Sequence, residues 1–203
     1  MLTYMLLLLL LVNPYQFGVN NIFGQWKLVL MVFLSTFAMP FFAVFIMKSL
    51  DMVKSMQLED RFERIGPYIL TGVFYLWMFI NFKSNPLIPK PMVIVMLGST
   101  IALFGTFFFN NFTKISAHAA GMGGLVAMAL TNTLLFNFDT FTVTMGWLGS
   151  YEVSTNFVLM TTIVLAGIVC TARLLLGAHT EEQLYTGFAI GFASQFIALL
   201  FLQ

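Results

Sequence analysis

The chain has 203 residues, of which 60% are hydrophobic and only 8% are charged, and its formal net charge is +1. A mean hydropathy of +0.93 together with 24 phenylalanines excludes a soluble domain of this length, and the near-zero charge gives no sign of a nucleic-acid partner. No linker or soluble segment divides the sequence. We therefore expect one integral membrane domain over residues 1–203.

Apolar runs of bilayer-crossing length follow one another along the chain. A transmembrane helix needs roughly 17 to 25 mainly apolar residues, and about seven runs approach that length. They lie at 1–17, 26–47, 67–82, 91–110, 118–136, 157–177 and 184–202. The runs are continuous rather than alternating, which excludes the strands of a β-barrel. The predicted fold is an all-α polytopic membrane bundle of about six to seven transmembrane helices.

Prolines and glycines predict local features of this bundle. The first run is short and interrupted near Pro14, which suggests either that it packs at the periphery or that the chain is trimmed there. Pro40 should kink the second run, and Pro91 suits the first turn of the fourth. Gly187 and Gly191 place two small residues four apart on the last run, a spacing that lets helices approach closely.

Counting crossings places three polar segments, 48–66, 111–117 and 178–183, on one membrane face, because two spans separate each from the next. The chain has only two histidines, His118 and His179, and both lie at this face beside cations. An ionisable imidazole at a membrane boundary is costly unless it has a function. We interpret the two histidines as parts of one site.

The polar residues of this face form three ordered motifs. The residues concerned are Lys54 and Arg61, then Ser116 and His118, then Arg173, His179 and Gln183. In order and internal spacing the chain resembles the type 2 phosphatidic acid phosphatase superfamily, whose pattern is KxxxxxxRP, PSGH and SRxxxxxHxxxD. The resemblance extends from residue 54 to residue 183.

The chain departs from the family pattern beside these groups. Phe62 replaces the proline of the first motif, and Ala172 replaces the serine of the third. Ile115 and Ala117 replace the proline and glycine of the second motif. Gln183 stands where the family has an aspartate that orients the nucleophile. A glutamine oxygen accepts the same hydrogen bond but carries no charge.

The resemblance implies a mechanism without metal or cofactor. The phosphate-binding residues would be Lys54, Arg61, Ser116 and Arg173. His179 would be the nucleophile that forms a phosphohistidine, and His118 the acid that protonates the leaving group. The partner would be a phosphorylated or pyrophosphorylated lipid in the bilayer, such as phosphatidic acid, phosphatidylglycerol phosphate, a polyprenyl pyrophosphate or a lipid A-like molecule.

Helix geometry adds two expectations. Lys54 and Arg61 would share one helix face, about 10 Å apart. An unbroken helix would turn His179 about 240° away from Arg173. Gly177 should therefore end the helix and bring the two side chains together.

Ordinary structural roles remain open for several residues. Segment 51–64 could be a solvated surface helix in which Asp60 pairs with Arg64. Ser116 could be the N-cap of the following helix, and Arg173 could anchor a spanning helix at the interface.

Gln183 has a competing role as well. Residues 180–183 match a capping box in which Gln183 reaches back to Thr180. Glu182 could instead orient His179. The alternative function is a catalytically impaired phosphatase-like membrane protein that binds phospholipid head groups or serves as a structural subunit.

Other functional classes fit the sequence less well. A haem held by His118 and His179 is disfavoured by their position at loop edges beside cations. Ser116 lacks the GxSxG surroundings of a serine nucleophile, and the spans lack the internal charges of an ion path.

Orientation depends on the basic residues. The motif face carries six against three opposite, and removing the three that the resemblance makes catalytic leaves three against three. The family's frequent extracytoplasmic site then favours the outer face of a bacterial cytoplasmic membrane.

Overall fold

The computed structural model describes residues 1–54, 60, 62–136, 138–144 and 149–202. Within these residues, six helices are long and apolar enough to cross a bilayer. The spanning segments are Pro14–Ser49, Ile65–Lys83, Lys90–Asn110, Ala117–Phe136, Thr155–Leu175 and Glu181–Leu202. The all-α polytopic bundle is confirmed, and helices of this length and apolarity indicate an integral membrane protein.

Eight α-helices and two strands form the described part of the chain. The helices are α1 (Leu2–Val12), α2 (Trp26–Phe33), α3 (Met39–Ser49), α4 (Ile65–Lys83), α5 (Lys90–Asn110), α6 (Ala117–Thr131), α7 (Thr155–Leu175) and α8 (Glu181–Leu202). Short 3-10 turns at Pro14–Phe17 and Ile22–Gln25 precede α2, and π-helical turns at Leu34–Ala38 and Asn132–Phe136 follow α2 and α6.

The first helix lies inside the bundle. It ends at Val12 because Asn13 leaves the helical conformation ahead of Pro14, as residues before proline do. Leu6 and Leu10 of α1 are fully buried within the hydrophobic core. The expectation that this segment packs at the periphery is wrong.

Pro91 lies where the sequence predicted it, whereas the kink expected at Pro40 stays a prediction. The π-helical turn Leu34–Ala38 interrupts the second span directly before Pro40, whose missing N–H removes a helical hydrogen bond. Pro91 lies in the first turn of α5. There its missing N–H costs nothing, because the first N–H groups of a helix have no intrahelical partner.

Glycines bring α6 and α8 into close contact. A methyl group on Gly187 would lie 2.7 Å from the carbonyl oxygen of Ser116, and one on Gly191 would overlap the carbonyl of Ala120. The predicted small-residue face of the last helix is therefore confirmed. The contact fixes α8 against the start of α6, which carries His118.

A β-hairpin joins α6 to α7 and was not predicted. Its strands, β1 (Thr140–Thr144) and β2 (Ser150–Ser154), pair antiparallel with Thr142 opposite Glu152. Threonine and valine favour extended backbone, but strands of five residues are too short to show among apolar runs. The hairpin lies one span away from the motif turns, at the other end of the bundle.

The turns that carry the motifs meet at one end of the bundle. Nη1 of Arg64, at the start of α4, donates a hydrogen bond to the carbonyl oxygen of Ile115 at 3.0 Å. The backbone N–H of Ser116 donates to the carbonyl oxygen of Gln183 at 3.4 Å. These bonds join the turns before α4, α6 and α8, as the count of crossings predicted.

Candidate functional site

One pocket brings both histidines together with two arginines. It has a volume of about 310 Å³ and lies where α4, α5, α6 and α7 approach the turn at 176–180. Its walls are formed by Arg64, Pro67, Tyr68, Thr71, Leu103, Ala117, His118, Arg173 and His179. Three residues predicted for the site, His118, Arg173 and His179, thus share one pocket.

A glycine turn returns the chain from α7 to this pocket. Gly177 has φ +61°, a left-handed conformation that glycine adopts without steric cost. Its N–H donates to the carbonyl of Leu174, and the N–H of Ala178 donates to the carbonyl of Arg173. This is the Schellman pattern of a helix end. The predicted stop at Gly177 is confirmed, and it places His179 beside Arg173.

The imidazole of His179 is held by Gln183. Nδ1 of His179 lies 2.9 Å from Oε1 of Gln183. The backbone N–H of Thr180 donates to the same Oε1 at 3.4 Å. Because a backbone N–H only donates, this amide atom of Gln183 must be its oxygen, and Nδ1 of the ring carries the proton. Nε2 then keeps its lone pair.

Gln183 fulfils both roles that the sequence left open. It accepts the bond from His179, and its bond from the N–H of Thr180 is the reaching-back half of a capping box. Glu182 is exposed in the first turn of α8. The alternative in which Glu182 orients His179 is wrong, because Gln183 occupies that position.

The surroundings of His179 favour its neutral form. Only 7% of the residue is exposed, and this burial lowers the pKa of His179 below its ordinary value. The bond to Gln183 raises the pKa in opposition, whereas the charges of Arg64, Lys114 and Arg173 lower it further. A neutral imidazole near neutral pH is the form that a nucleophile requires.

Arg173 offers an unused donor. The residue is partly buried, and within the described part of the chain no acceptor bonds its buried Nε. A buried donor without an acceptor costs free energy, and an anion in the pocket would remove that cost. The planar guanidinium can also bind two phosphate oxygens at once.

Arg64 is a pocket residue that the sequence interpretation did not place in the site. Nη1 of Arg64 donates to the carbonyl oxygen of Ile115, and the residue lines the pocket. Its pairing with Asp60, whose Oδ1 accepts a bond from the N–H of Phe62 at 2.9 Å, stays a prediction. The available signal was its position directly before a span on the motif face, three residues beyond Arg61.

The first motif is not seen in the pocket. Arg61 and residues 55–59 lie outside the described residues, and so does the predicted face shared by Lys54 and Arg61. Lys54 is exposed, its carbonyl accepts from Nζ of Lys48 at 2.6 Å, and its N–H donates to Oε1 of Glu63 at 3.2 Å. Among the described pocket walls Lys54 does not appear, and its role stays a prediction.

The two polar residues of the second motif have different surroundings. Ser116 is fully buried, and its Oγ accepts from the N–H of Ala119 at 3.3 Å, which confirms the N-cap of α6. Phosphate binding by Ser116 stays a prediction. His118 follows in the first turn of α6 and is exposed in the pocket.

The charged groups around the pocket suit an anion. The guanidinium groups of Arg64 and Arg173 line it, and Lys114 adds a third positive charge nearby. Within the ranges that the structure describes, no three His, Cys, Asp or Glu side chains are close enough to hold a metal ion. Phosphate is the anion that matches two guanidinium forks most directly.

Comparison with known proteins assigns no family to the chain. No model of a protein family matches it, and neither the curated proteins nor the solved structures give a match. The resemblance drawn from the three motifs therefore depends on the residues themselves.

Proposed function

We propose that the protein is a lipid phosphatase that hydrolyses a phosphate monoester or pyrophosphate of a membrane lipid through a phosphohistidine at His179, without a metal. The observation that carries this proposal is the bond from Nδ1 of His179 to Gln183 in a pocket that also holds Arg173 and His118. The motif resemblance supports a site on the outer face of a bacterial cytoplasmic membrane.

Binding begins with the two arginines. A phosphate at the membrane surface enters the pocket, loses its bound water and binds the guanidinium groups of Arg64 and Arg173. The unused Nε of Arg173 donates to one oxygen. These contacts neutralise the phosphate and point its phosphorus at Nε2 of His179.

The chemistry then proceeds in two steps. Nε2 of His179 forms a bond to phosphorus while the bond from phosphorus to the leaving oxygen breaks, and His118 gives that oxygen a proton. In the second step His118, now neutral, accepts a proton from water. The water oxygen bonds to phosphorus while the bond from phosphorus to Nε2 of His179 breaks, so that Nε2 regains its lone pair, phosphate leaves and His118 is protonated again. Throughout, Gln183 holds the Nδ1 proton and keeps Nε2 directed at phosphorus.

A second function has an observation in its favour. Gln183 supplies no negative charge to stabilise an imidazolium, and its oxygen is shared with the cap of α8. Replacing the aspartate of a serine protease triad by its amide costs about 10⁴-fold in turnover. The alternative is therefore a phosphatase-like protein that binds phospholipid head groups, or serves as a structural subunit, without turnover.

The test is phosphate release by the purified protein in detergent with excess EDTA. The panel contains phosphatidic acid, phosphatidylglycerol phosphate, a polyprenyl pyrophosphate and a lipid A-like phosphate. We expect release from at least one lipid, lost to background in His179→Ala and retained in Glu182→Gln, an exposed neighbour outside the pocket.

Two results would contradict the proposal. Full release by His179→Ala would remove the assigned nucleophile. No release by the folded, unmodified protein, combined with head-group binding, would establish the alternative without turnover.

A further inference from the structure

A second cavity lies behind the site pocket, deeper in the bundle. Its volume is about 190 Å³, and it is lined by Met1 and by residues of α1, α4, α5, α6 and α8. Tyr68, Leu103 and Ala117 line both this cavity and the site pocket. A ligand held at the site therefore has the inner cavity directly beneath it.

The inner cavity contains a polar side chain with no partner. Gln195 lines it and is 1% exposed, and among the described residues neither Oε1 nor Nε2 of its amide has a hydrogen-bond partner. Burying an amide without hydrogen-bond partners in apolar surroundings is energetically costly. Inside a membrane bundle no bulk water can satisfy these groups, so the amide is a candidate for contact with a polar part of a ligand.

The neighbouring helix is shaped to admit this amide. A methyl group on Gly98 of α5 would lie 2.5 Å from Oε1 of Gln195 and 2.8 Å from Nε2. Ser99 and Tyr75, which carry hydroxyl groups, line the same cavity. Gly98 therefore leaves room for the amide, and the hydroxyl groups supply further hydrogen-bonding partners in the cavity.

The depth of the amide limits what it can bind. Gly124 of α6 lies next to it, since a methyl group there would be 3.6 Å from Nε2 of Gln195. Gly124 follows His118 by six residues, which along a helix is about 9 Å. The amide thus lies about 9 Å farther along α6 than the site histidine on that helix.

A glycerophospholipid has an acceptor at that depth. Its ester carbonyl oxygens lie six or seven bonds from phosphorus, and an extended chain advances about 1.1 to 1.2 Å per bond, which gives about 7 to 8 Å. Ester carbonyls only accept, and the amide N–H₂ of Gln195 only donates. The chain of a polyprenyl pyrophosphate has no acceptor there.

We propose that the inner cavity binds the ester region of an acylated glycerol phosphate, with Gln195 donating to an ester carbonyl. This inference rests on the proposed function, because a phosphate held between Arg64 and Arg173 sets the depth of the ester. It selects diacylglycerol phosphates over polyprenyl pyrophosphates as substrates.

The test compares phosphatidic acid with its dialkyl ether analogue of equal chain length, which lacks both carbonyls. On the unmodified protein we expect kcat/KM to be about tenfold higher for the diester, as for one buried hydrogen bond. Gln195→Met should remove this preference by weakening only the diester. Ser194→Ala is the matched control at the preceding residue. The hydroxyl of Ser194 donates to the carbonyl oxygen of Ile190, and the residue does not line the cavity, so this variant should keep the preference for the diester.

Native mass spectrometry of the same two lipids on the same proteins gives a readout that needs no turnover. Preference for the diester in binding, without phosphate release, would sustain the inner site and overturn the phosphatase. If the unmodified protein shows the same affinity and the same kcat/KM for the diester and the diether, the inner site is overturned, whether or not phosphate is released. The comparison on the unmodified protein does not depend on the folding of any variant.

Discussion

The turn between α7 and α8 and the turn between α5 and α6 each bring one histidine to the same pocket, but in different states. His179 is buried, and its ring is fixed by Gln183 after a glycine turn. His118 is exposed in the first turn of α6, directly after the cap at Ser116. A nucleophile must attack in one direction, whereas a proton donor must reach leaving groups of different shapes. The surroundings, rather than the residue type, therefore separate the two roles.

The comparison is sharpened most by changing the exposed histidine. We expect His118→Ala to lower kcat about 10²- to 10³-fold for an alkyl leaving group, which needs a proton. A nitrophenyl phosphate, whose leaving group is stable as an anion, should be affected much less. Phosphate release from the two substrates measures the difference, and an equal loss on both would show that His118 does not act as the acid.

The next prediction concerns Arg64, the cation that lies between the two turns. Arg64 bonds the α5–α6 turn and faces His179 across the pocket. Arg64→Gln should lower kcat/KM roughly 10- to 100-fold, the worth of one charged hydrogen bond to phosphate. Arg64→Lys should have a kcat/KM between those of Arg64→Gln and the unmodified protein. Lys83→Gln, at the other end of α4, is the matched control and should change nothing. Unchanged activity of Arg64→Gln would exclude Arg64 from phosphate binding.

Replacing Gln183 tests the role given to the buried histidine, His179. Burial keeps the pKa of His179 below its ordinary value of about 6.5, so the acid limb of kcat/KM should lie below that pH. A carboxylate favours the protonated ring, so Gln183→Asp should move the acid limb to higher pH and raise kcat about tenfold or more.

A pH profile of kcat/KM measures both effects. The double variant Gln183→Asp with Glu182→Gln restores the net charge of the first turn of α8 and should keep the gain. No change in rate or in acid limb would leave Gln183 with its capping role alone.

The smallest effect concerns the glycine that sets the α7–α8 turn. Gly177→Ala forces an alanine into the left-handed region at a cost of about 1 to 2 kcal/mol, and the melting temperature should fall by a few degrees. Gly167→Ala in the middle of α7 meets open space and should be neutral or stabilising. Equal melting temperatures of the two variants would contradict the role given to the turn.

The spanning helices and the histidine pair were predictable because each leaves a local signal. Apolar length marked the spans, and Gly177 marked the turn that returns His179 to Arg173. The burial of α1 was not predictable, since a helix apolar on all sides fits lipid as well as protein. Arg64 was missed because its contact with Ile115 joins residues 51 positions apart, and no motif spacing records that approach.

The most direct test of the central claim is to trap the phosphorylated protein. The protein is mixed with phosphatidic acid labelled in its phosphate, quenched in base, where phosphohistidine survives, and mapped by peptide. We expect label on His179 in the unmodified protein and none in His179→Ala. Hydrolysis without label on His179, or label on another residue, would contradict the assignment of His179 as the nucleophile.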